Sequence, residues 1–229
     1  MSSSSSSSSA ASMPPMQPPL VLPPILKEGE SQRGTIIWSH GLGDSAHGWS
    51  DFAHFLQRKN EVLSGVKYDI ARPDASPSLE DVDGMLASAA SIRGLIEAEV
   101  ADGVEEGKVV GGVLSLLTGL THPGDKPLGG ICVLSGFLPL MHEDKLLPLL
   151  SPSSALTPLF WAHGLSDSVI RFSKASAGKA YLGDKLGRVP TLGEEGKGPF
   201  EWREYEGMGH ELGRQEIGDV ERWLEGRFA

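Results

Sequence analysis

Residues Thr35–Trp49 read TIIWSHGLGDSAHGW, and this stretch decides the fold. Its apolar and β-branched start stops abruptly at Ser39, which is typical of a buried strand with a loop at its carboxyl end. In α/β proteins, ligands bind at that end of the strands. Gly41 and Gly43 allow a tight turn that points amide N–H groups at a bound oxyanion. The glycines alone would equally suit an ordinary strand-to-helix turn.

Strand and helix patterns alternate along the rest of the chain. The predicted strands are Leu20–Leu22 at a sheet edge, Thr35–Trp38, Val66–Ile70, Lys108–Val110, Ile131–Leu134, Leu159–Ala162 and Phe200–Tyr205. The predicted helices are Asp51–Lys59, Glu80–Val100, Leu114–Leu120, Lys174–Leu182 and Ile217–Phe228. The second helix has one apolar face, formed by Val82, Leu86, Ile92, Leu95, Ile96 and Val100. This alternation predicts an α/β fold with a mostly parallel central sheet of about six or seven strands and helices on both faces.

Composition indicates one globular domain. The chain has 229 residues, 39% of them hydrophobic and 22% charged, which is enough for a single core over residues 20–229. Residues 1–19 are rich in Ser and then Pro, which predicts a disordered tail and not a signal peptide. No segment approaches the roughly 20 apolar residues of a membrane-spanning helix. The net charge of −10 argues against a nucleic-acid partner, because phosphate binding requires a basic face.

The lone cysteine and the histidines predict neither a disulfide nor a metal site. Cys132 has no partner within the chain, which is typical of a reducing compartment, and its apolar surroundings predict buried packing. His40, His47 and His54 recur every seven residues, which could suggest metal binding. The first two are expected in a glycine-rich loop, however, and no cysteine or carboxylate pattern completes a site.

Two strings carry a family resemblance. HGLGD at 40–44, followed by HGW at 47–49, closely resembles the first strand and oxyanion loop of the acyl-protein thioesterase/carboxylesterase family of α/β-hydrolases. LSGFLP at 134–139 resembles the Leu-Ser-Gly-aromatic-Leu-Pro segment of the same family. The resemblance covers roughly residues 20–228 and implies an α/β-hydrolase fold. It also implies an oxyanion loop formed by Gly41, Leu42 and Gly43.

Two of the three catalytic positions of that family are present. HGLSD at 163–167 resembles the family's His-Gly-x-x-Asp, which maps Asp167 onto the triad acid. EGMGH at 206–210 matches Gly-Met-Gly-His before the last helix, which maps His210 onto the triad histidine. Taken alone, Asp167 would suit a turn aspartate that caps a helix, and His210 a surface histidine. The order of acid and then histidine, each after a strand, is the one that an α/β-hydrolase requires.

The nucleophile is the missing position. Between Lys108 and Leu120 the sequence is KVVGGVLSLLTGL, with Gly111-Gly112 in place of the family's Gly-Phe-Ser-Gln-Gly-Gly elbow. The join is about six residues shorter than the family pattern, and no Gly-x-Ser-x-Gly occurs in the chain. Ser115 corresponds to a helix serine beyond the elbow, Ser45 lies in the oxyanion loop, and Ser31 precedes a strand. No nucleophile is therefore identified, and internal deletions are predicted near residues 111–113 and, in a loop that helps line the family's acyl site, near 76–78.

The resemblance implies an ester or thioester hydrolase that acts by a Ser-His-Asp mechanism without a cofactor or metal. Its implied substrates are palmitoyl groups on S-acylated proteins, small acyl esters or lysophospholipids, and its implied location is the cytoplasm and also the nucleus. Because the nucleophile segment is missing, we expect this chain to be weakly active or inactive. Two alternatives remain open. The chain could be a non-catalytic relative that binds acyl chains or a protein partner, or a shortened product of an active thioesterase gene.

Overall fold

The computed structural model of the protein describes residues 18–39, 46–71, 82–111, 115–124, 126–191 and 199–229. The predictions for the tail up to residue 17, for the oxyanion loop at 41–43, for the loop at 76–78 and for residues 112–113 lie outside these described residues.

One seven-stranded sheet runs through the described residues. The strands are β1 (Leu20–Leu22), β2 (Gly34–Ser39), β3 (Val66–Ala71), β4 (Val109–Gly111), β5 (Gly130–Leu134), β6 (Leu159–Gly164) and β7 (Phe200–Tyr205). Their order across the sheet is β1-β3-β2-β4-β5-β6-β7. Only β1 pairs antiparallel with its neighbour, and every other pairing is parallel. The predicted α/β fold with a mostly parallel sheet is confirmed.

Helices cover both faces of this sheet. They are α1 (Ala46–Lys59), α2 (Glu61–Ser64), α3 (Val82–Ala101), α4 (Ser115–Leu120), α5 (Phe172–Leu186) and α6 (Arg214–Phe228). Alternate residues of β5 show the two layers. Cys132 belongs to the core that contains Trp223 of α6, whereas Val133 belongs to the core that contains Leu117 of α4. This alternation follows from the two-residue period of a strand, and it places α1 and α6 on one face and α3, α4 and α5 on the other.

Helix α3 departs from its predicted apolar face. Val100, predicted on that face, is 37% exposed, while its neighbour Glu99 is buried. The Glu99 carboxylate accepts hydrogen bonds from Thr35 Oγ1 and from Lys67 Nζ, the latter at 2.5 Å. A carboxylate can be buried when it is paired and hydrogen-bonded in this way, and hydrophobic periodicity does not reveal such partners.

The central strand β4 is shorter than the strands on either side of it. Its last pairs are Ile37 with Gly111 on the β2 side and Gly111 with Ile131 on the β5 side. Strand β2 continues to Ser39 and β5 to Leu134. At about 3.3 Å per residue, β4 as described ends roughly 7–10 Å short of the carboxyl ends of its neighbours. Residues 112–114, which follow β4 directly, lie outside the described residues.

Candidate active site

The loops after β6 and β7 are held together at the carboxyl edge of the sheet. The Leu165 amide donates to the Tyr205 carbonyl and the Ser166 amide to the Met208 carbonyl, each at 3.0 Å. Gly164 permits this approach, because a Cβ at that position would lie 2.2 Å from the Met208 carbonyl oxygen. Any other residue at 164 would push the two loops apart, so the glycine of the HGLSD string has a steric role.

This loop contact brings Asp167 and His210 together. Asp167 Oδ2 lies 2.8 Å from His210 Nδ1, within hydrogen-bond distance. The other oxygen, Asp167 Oδ1, accepts hydrogen bonds from the amides of Val169 at 2.8 Å and Ile170 at 2.9 Å. The Asp167 side chain has no exposed surface, whereas that of His210 is 41% exposed. A buried carboxylate thus holds a partly exposed imidazole.

The environment of Asp167 favours its ionised form. Burial by itself raises the pKa of the carboxyl group, but hydrogen bonds from His210 and from the amides of Ile170 and Val169 outweigh burial and lower the pKa below its ordinary value. An ionised carboxylate accepts the Nδ1–H hydrogen of His210 and leaves Nε2 as a base. This is the arrangement in which an aspartate orients a catalytic histidine.

The family model for phospholipases and carboxylesterases matches residues 68–226, which is more than half of the chain and includes both residues. The chain belongs to this phospholipase/carboxylesterase family. By family it is an ester hydrolase. Asp167 and His210 both lie within the matched region.

Relatives of known type extend the comparison. The chain is 33% identical to acyl-protein thioesterase 1 of Yarrowia lipolytica over 220 residues, which covers 83% of this chain and 90% of that relative. It is 31% identical to acyl-protein thioesterase 1 of Mycosarcoma maydis over 242 residues, covering 90% and 95%. The crystal structure of Arabidopsis thaliana SOBER1 superposes with a TM-score of 0.71 at 24% identity, covering 86% of this chain and 99% of that one. This structural likeness shows that the chain shares the fold of SOBER1.

The other site residues weighed from this family are those of the oxyanion loop and the candidate serines. Gly41, Leu42, Gly43 and Ser45 lie outside the described residues, so the oxyanion loop remains a prediction. Ser115 is the first residue of α4, as expected for a serine beyond the elbow. Within the described part of the chain, no hydroxyl group is hydrogen-bonded to His210. The described residues therefore contain a positioned histidine but no hydroxyl nucleophile bonded to it.

Two residues at this edge of the sheet were missed by sequence reasoning. Ser135, directly after β5, has a φ of 50° and a buried Oγ without a hydrogen-bond partner in the described residues. Backbone strain of this kind costs about 1–3 kcal/mol and is frequent at functional sites. His163 in β6 is completely buried, and its Nε2 lies 3.5 Å from Asp167 Oδ2. Both residues lie within the family strings at 134–139 and 163–167. Their place in these strings was the sequence feature that could have pointed to them.

The structure corrects one prediction about the histidines. His47 lies on α1 together with His54 and not in the glycine-rich loop, while His40 is outside the described residues. Trp49, in the first turn of α1, packs on Trp38 of β2 with ring centroids 4.9 Å apart. Among the described residues, no three His, Cys, Asp or Glu side chains are grouped so that they could hold a metal ion.

Cys132 packs in the core, as predicted. It is 2% exposed, and burial together with the nearby Glu216 carboxylate raises the pKa of its thiol. A thiol in this position is not a reactive nucleophile. In the described residues, every helix is too short or too polar to cross a membrane.

Proposed function

We propose that this chain derives from an acyl-protein thioesterase, keeps Asp167 and His210 as its acid–base pair, and hydrolyses acyl esters weakly or not at all. The observation that carries the proposal is the 2.8 Å contact between Asp167 Oδ2 and His210 Nδ1 in loops after β6 and β7. The names of its relatives support the substrate class, because two acyl-protein thioesterases are more than 30% identical to it. We propose S-acylated proteins as the principal substrates, with small acyl esters and lysophospholipids as further candidates.

The chemistry of the intact mechanism defines what this chain lacks. A serine hydroxyl attacks the acyl carbonyl while His210 Nε2 takes the hydroxyl proton, and ionised Asp167 stabilises the resulting imidazolium. The thiol or alcohol leaves with a proton from His210, and water then hydrolyses the acyl-enzyme by the same base. A base of this type requires a hydroxyl within about 3 Å.

The short central strand supports the loss of the nucleophile. An elbow serine has to stand at the carboxyl edge of the sheet, at the tip of a strand followed by a helix. Strand β4 pairs only as far as Gly111, while both neighbouring strands continue toward that edge. Only three residues separate Gly111 from the start of α4 at Ser115. We propose that a connection of this length leaves little room for an elbow.

The length of the alignments supports internal deletions. The alignment with the Mycosarcoma maydis relative extends over 242 residues, more than the 229 of this chain, although it covers only 90% of it. Positions of the relative therefore have no counterpart here. We propose that such positions include the elbow near 111–113 and the loop near 76–78. A shortened product of an active thioesterase gene accounts for both gaps, and we propose the cytoplasm, with the nucleus as a second location, for that gene product.

A residual reaction is still open to this site. His210 can activate a water molecule directly against an acyl carbonyl, which we propose is held by the Leu42 amide. In a well-studied serine hydrolase, loss of the catalytic serine lowers kcat by roughly 10⁶ even with the oxyanion hole intact. Removal of the elbow also removes the amide that follows the serine and completes that hole, so the remaining rate should be lower still.

Turnover of a palmitoylated peptide and of an activated acyl ester tests this proposal. The chain is compared with His210→Ala and with a variant in which the family's elbow segment is inserted between Val110 and Gly111. We expect low turnover that falls in His210→Ala, and a gain of at least about 10³-fold on insertion. Turnover by the unmodified chain equal to that of the insertion variant would contradict the loss of the nucleophile. Measurable turnover by the chain that is unchanged in His210→Ala would show that His210 is not the base.

A further inference from the structure

His163 is a fully buried polar residue for which the proposed acid–base pair has no use. Its Nε2 lies 2.7 Å from the carbonyl oxygen of Ile170 and 3.5 Å from Asp167 Oδ2. Both neighbours are acceptors, so Nε2 carries a hydrogen and donates it chiefly to the closer Ile170 carbonyl. The His163 Nδ1 is buried without a hydrogen-bond partner in the described residues. With the hydrogen on Nε2, Nδ1 carries only a lone pair. No buried N–H donor of His163 is then left without an acceptor.

Ile170 connects this histidine to the carboxylate. Its carbonyl accepts the hydrogen bond from His163, and its amide donates to Asp167 Oδ1 at 2.9 Å. The same residue is therefore anchored at one end by His163 and orients Asp167 at the other. The second carboxylate oxygen, Oδ2, is left for His210 Nδ1 at 2.8 Å. The four residues form one continuous hydrogen-bonded chain from the interior of β6 to the surface.

We infer that His163 is a positioning residue, which fixes the turn at 165–171 so that the Asp167 carboxylate holds His210 in the tautomer with the hydrogen on Nδ1. The importance of this tautomer for catalysis rests on the proposed function, because only a catalytic base needs its Nε2 free of hydrogen. The geometric claim itself concerns this chain's own hydrogen bonds. His163 acts on His210 through the turn and, from 3.5 Å, through Asp167 Oδ2 itself.

Packing is the competing role for this histidine. The His163 ring meets the edge of Phe172, with ring centroids 6.1 Å apart and the planes at 61°. A purely structural ring would be replaceable by another ring, whereas a positioning donor would be replaceable by another donor. His163→Gln keeps a donor near the Nε2 position without the ring, and His163→Phe keeps a ring without the donor. The two variants therefore separate the two roles.

The tautomer of His210 is the measurement that distinguishes them. In the full chain labelled with ¹⁵N-histidine, two-bond ¹H–¹⁵N correlation spectra report the tautomer of each neutral imidazole, and His210→Ala and the His163 variants assign the signals. We expect the Nε2–H form for His163 and the Nδ1–H form for His210. We expect His210 to keep the Nδ1–H form in His163→Gln and to lose it, becoming a mixture of tautomers, in His163→Phe.

Several outcomes would overturn this inference. They are a His210 signal unchanged in His163→Phe, a signal lost equally in both variants, and an Nδ1–H form of His163 in the unmodified chain. If His163→Phe does not fold, His163→Met, which has the length of Gln and no donor, replaces it in the same comparison. The measurement needs no turnover, so esterase activity of the unmodified chain equal to that of the elbow-insertion variant would count against the proposed function and leave the positioning role standing.

Discussion

Asp167 Oδ2 lies 2.8 Å from His210 Nδ1, although 43 positions separate the two residues in the chain. The carboxylate is buried and the imidazole is exposed, so the pair joins the interior of the sheet to its carboxyl edge. Strand β4, which β5 separates from β6, is described as far as Gly111. The pair thus places an oriented imidazole at the carboxyl edge of the sheet.

The first prediction concerns the pH dependence of stability through Asp167. Because the folded protein lowers the pKa of this carboxyl group, the ionised form stabilises the fold above its unfolded pKa of about 3.9. That stabilisation is lost as the pH falls through the lower folded pKa. We expect Asp167→Asn to reduce the free energy of unfolding at neutral pH, and the difference from the unmodified chain to shrink below about pH 4.

Urea unfolding at a series of pH values measures this difference. Asp184→Asn, on the exposed side of α5, is the matched control for the loss of one negative charge. A difference between the unmodified chain and Asp167→Asn that stays constant from neutral pH to about pH 3 would show that Asp167 makes no such contribution.

The second prediction concerns covalent labelling. Because no serine is hydrogen-bonded to His210 in the described residues, a serine-directed fluorophosphonate probe should not label the chain. An activated ester should likewise give no burst phase. Mass spectrometry of the probe-treated protein, with the elbow-insertion variant as the positive control, measures the labelling. Stoichiometric labelling at Ser45, Ser115 or the strained Ser135 would reveal a relocated nucleophile and contradict the prediction.

The third prediction concerns the stability cost of the short central strand. Insertion of the family's elbow segment between Val110 and Gly111 should raise the thermal unfolding midpoint, because only three residues now join Gly111 to the start of α4, and a longer connection relieves the strain of so short a join. Natural domains have only about 5–15 kcal/mol of stability, so a gain of about 1–2 kcal/mol would be measurable. A Gly/Ser insertion of equal length at the same place is the control. An unchanged midpoint would mean that the shortened turn is well accommodated.

The fourth prediction concerns Arg188, a buried cation that has no carboxylate partner among the described residues. Its guanidinium donates to the carbonyls of Ser154 at 2.8 Å, Thr157 at 2.6 Å and Pro199 at 3.1 Å. Burial lowers the pKa of Arg188 to about 10, which still leaves it charged at neutral pH. Arg188→Met should destabilise the fold by about 3 kcal/mol, because three buried carbonyls lose a charged donor.

Chemical denaturation of a matched pair of variants measures this effect. Lys185, three residues earlier on α5, is exposed and pairs with Asp144 at 3.1 Å. Lys185→Ala should cost less than about 1 kcal/mol, because a solvated ion pair contributes little. Equal losses in the two variants would show that Arg188 does not tie the start of β7 to the segment before β6.

The amino-acid sequence by itself determined the order of strands and helices and the identity of Asp167 and His210. The apolar runs at Ile131–Leu134 and Leu159–Ala162 fall within β5 and β6, and Phe200–Tyr205 is β7 residue for residue. These features are local. The apolar run of a strand and a string such as HGLSD each span only a few neighbouring residues. They can therefore be recognised in the sequence without knowledge of the fold.

Only the tertiary structure decided which residues meet across the chain. It buried Glu99 by supplying Lys67 and Thr35, where periodicity alone predicted an apolar face that included Val100. It likewise turned the His163 ring toward the Ile170 carbonyl. Burial of a polar group depends on partners that are distant in the sequence, because its desolvation is offset only by a hydrogen bond made in the folded chain. For that reason the sequence could single out Asp167 and His210, whereas the hydrogen bond that joins them required the fold.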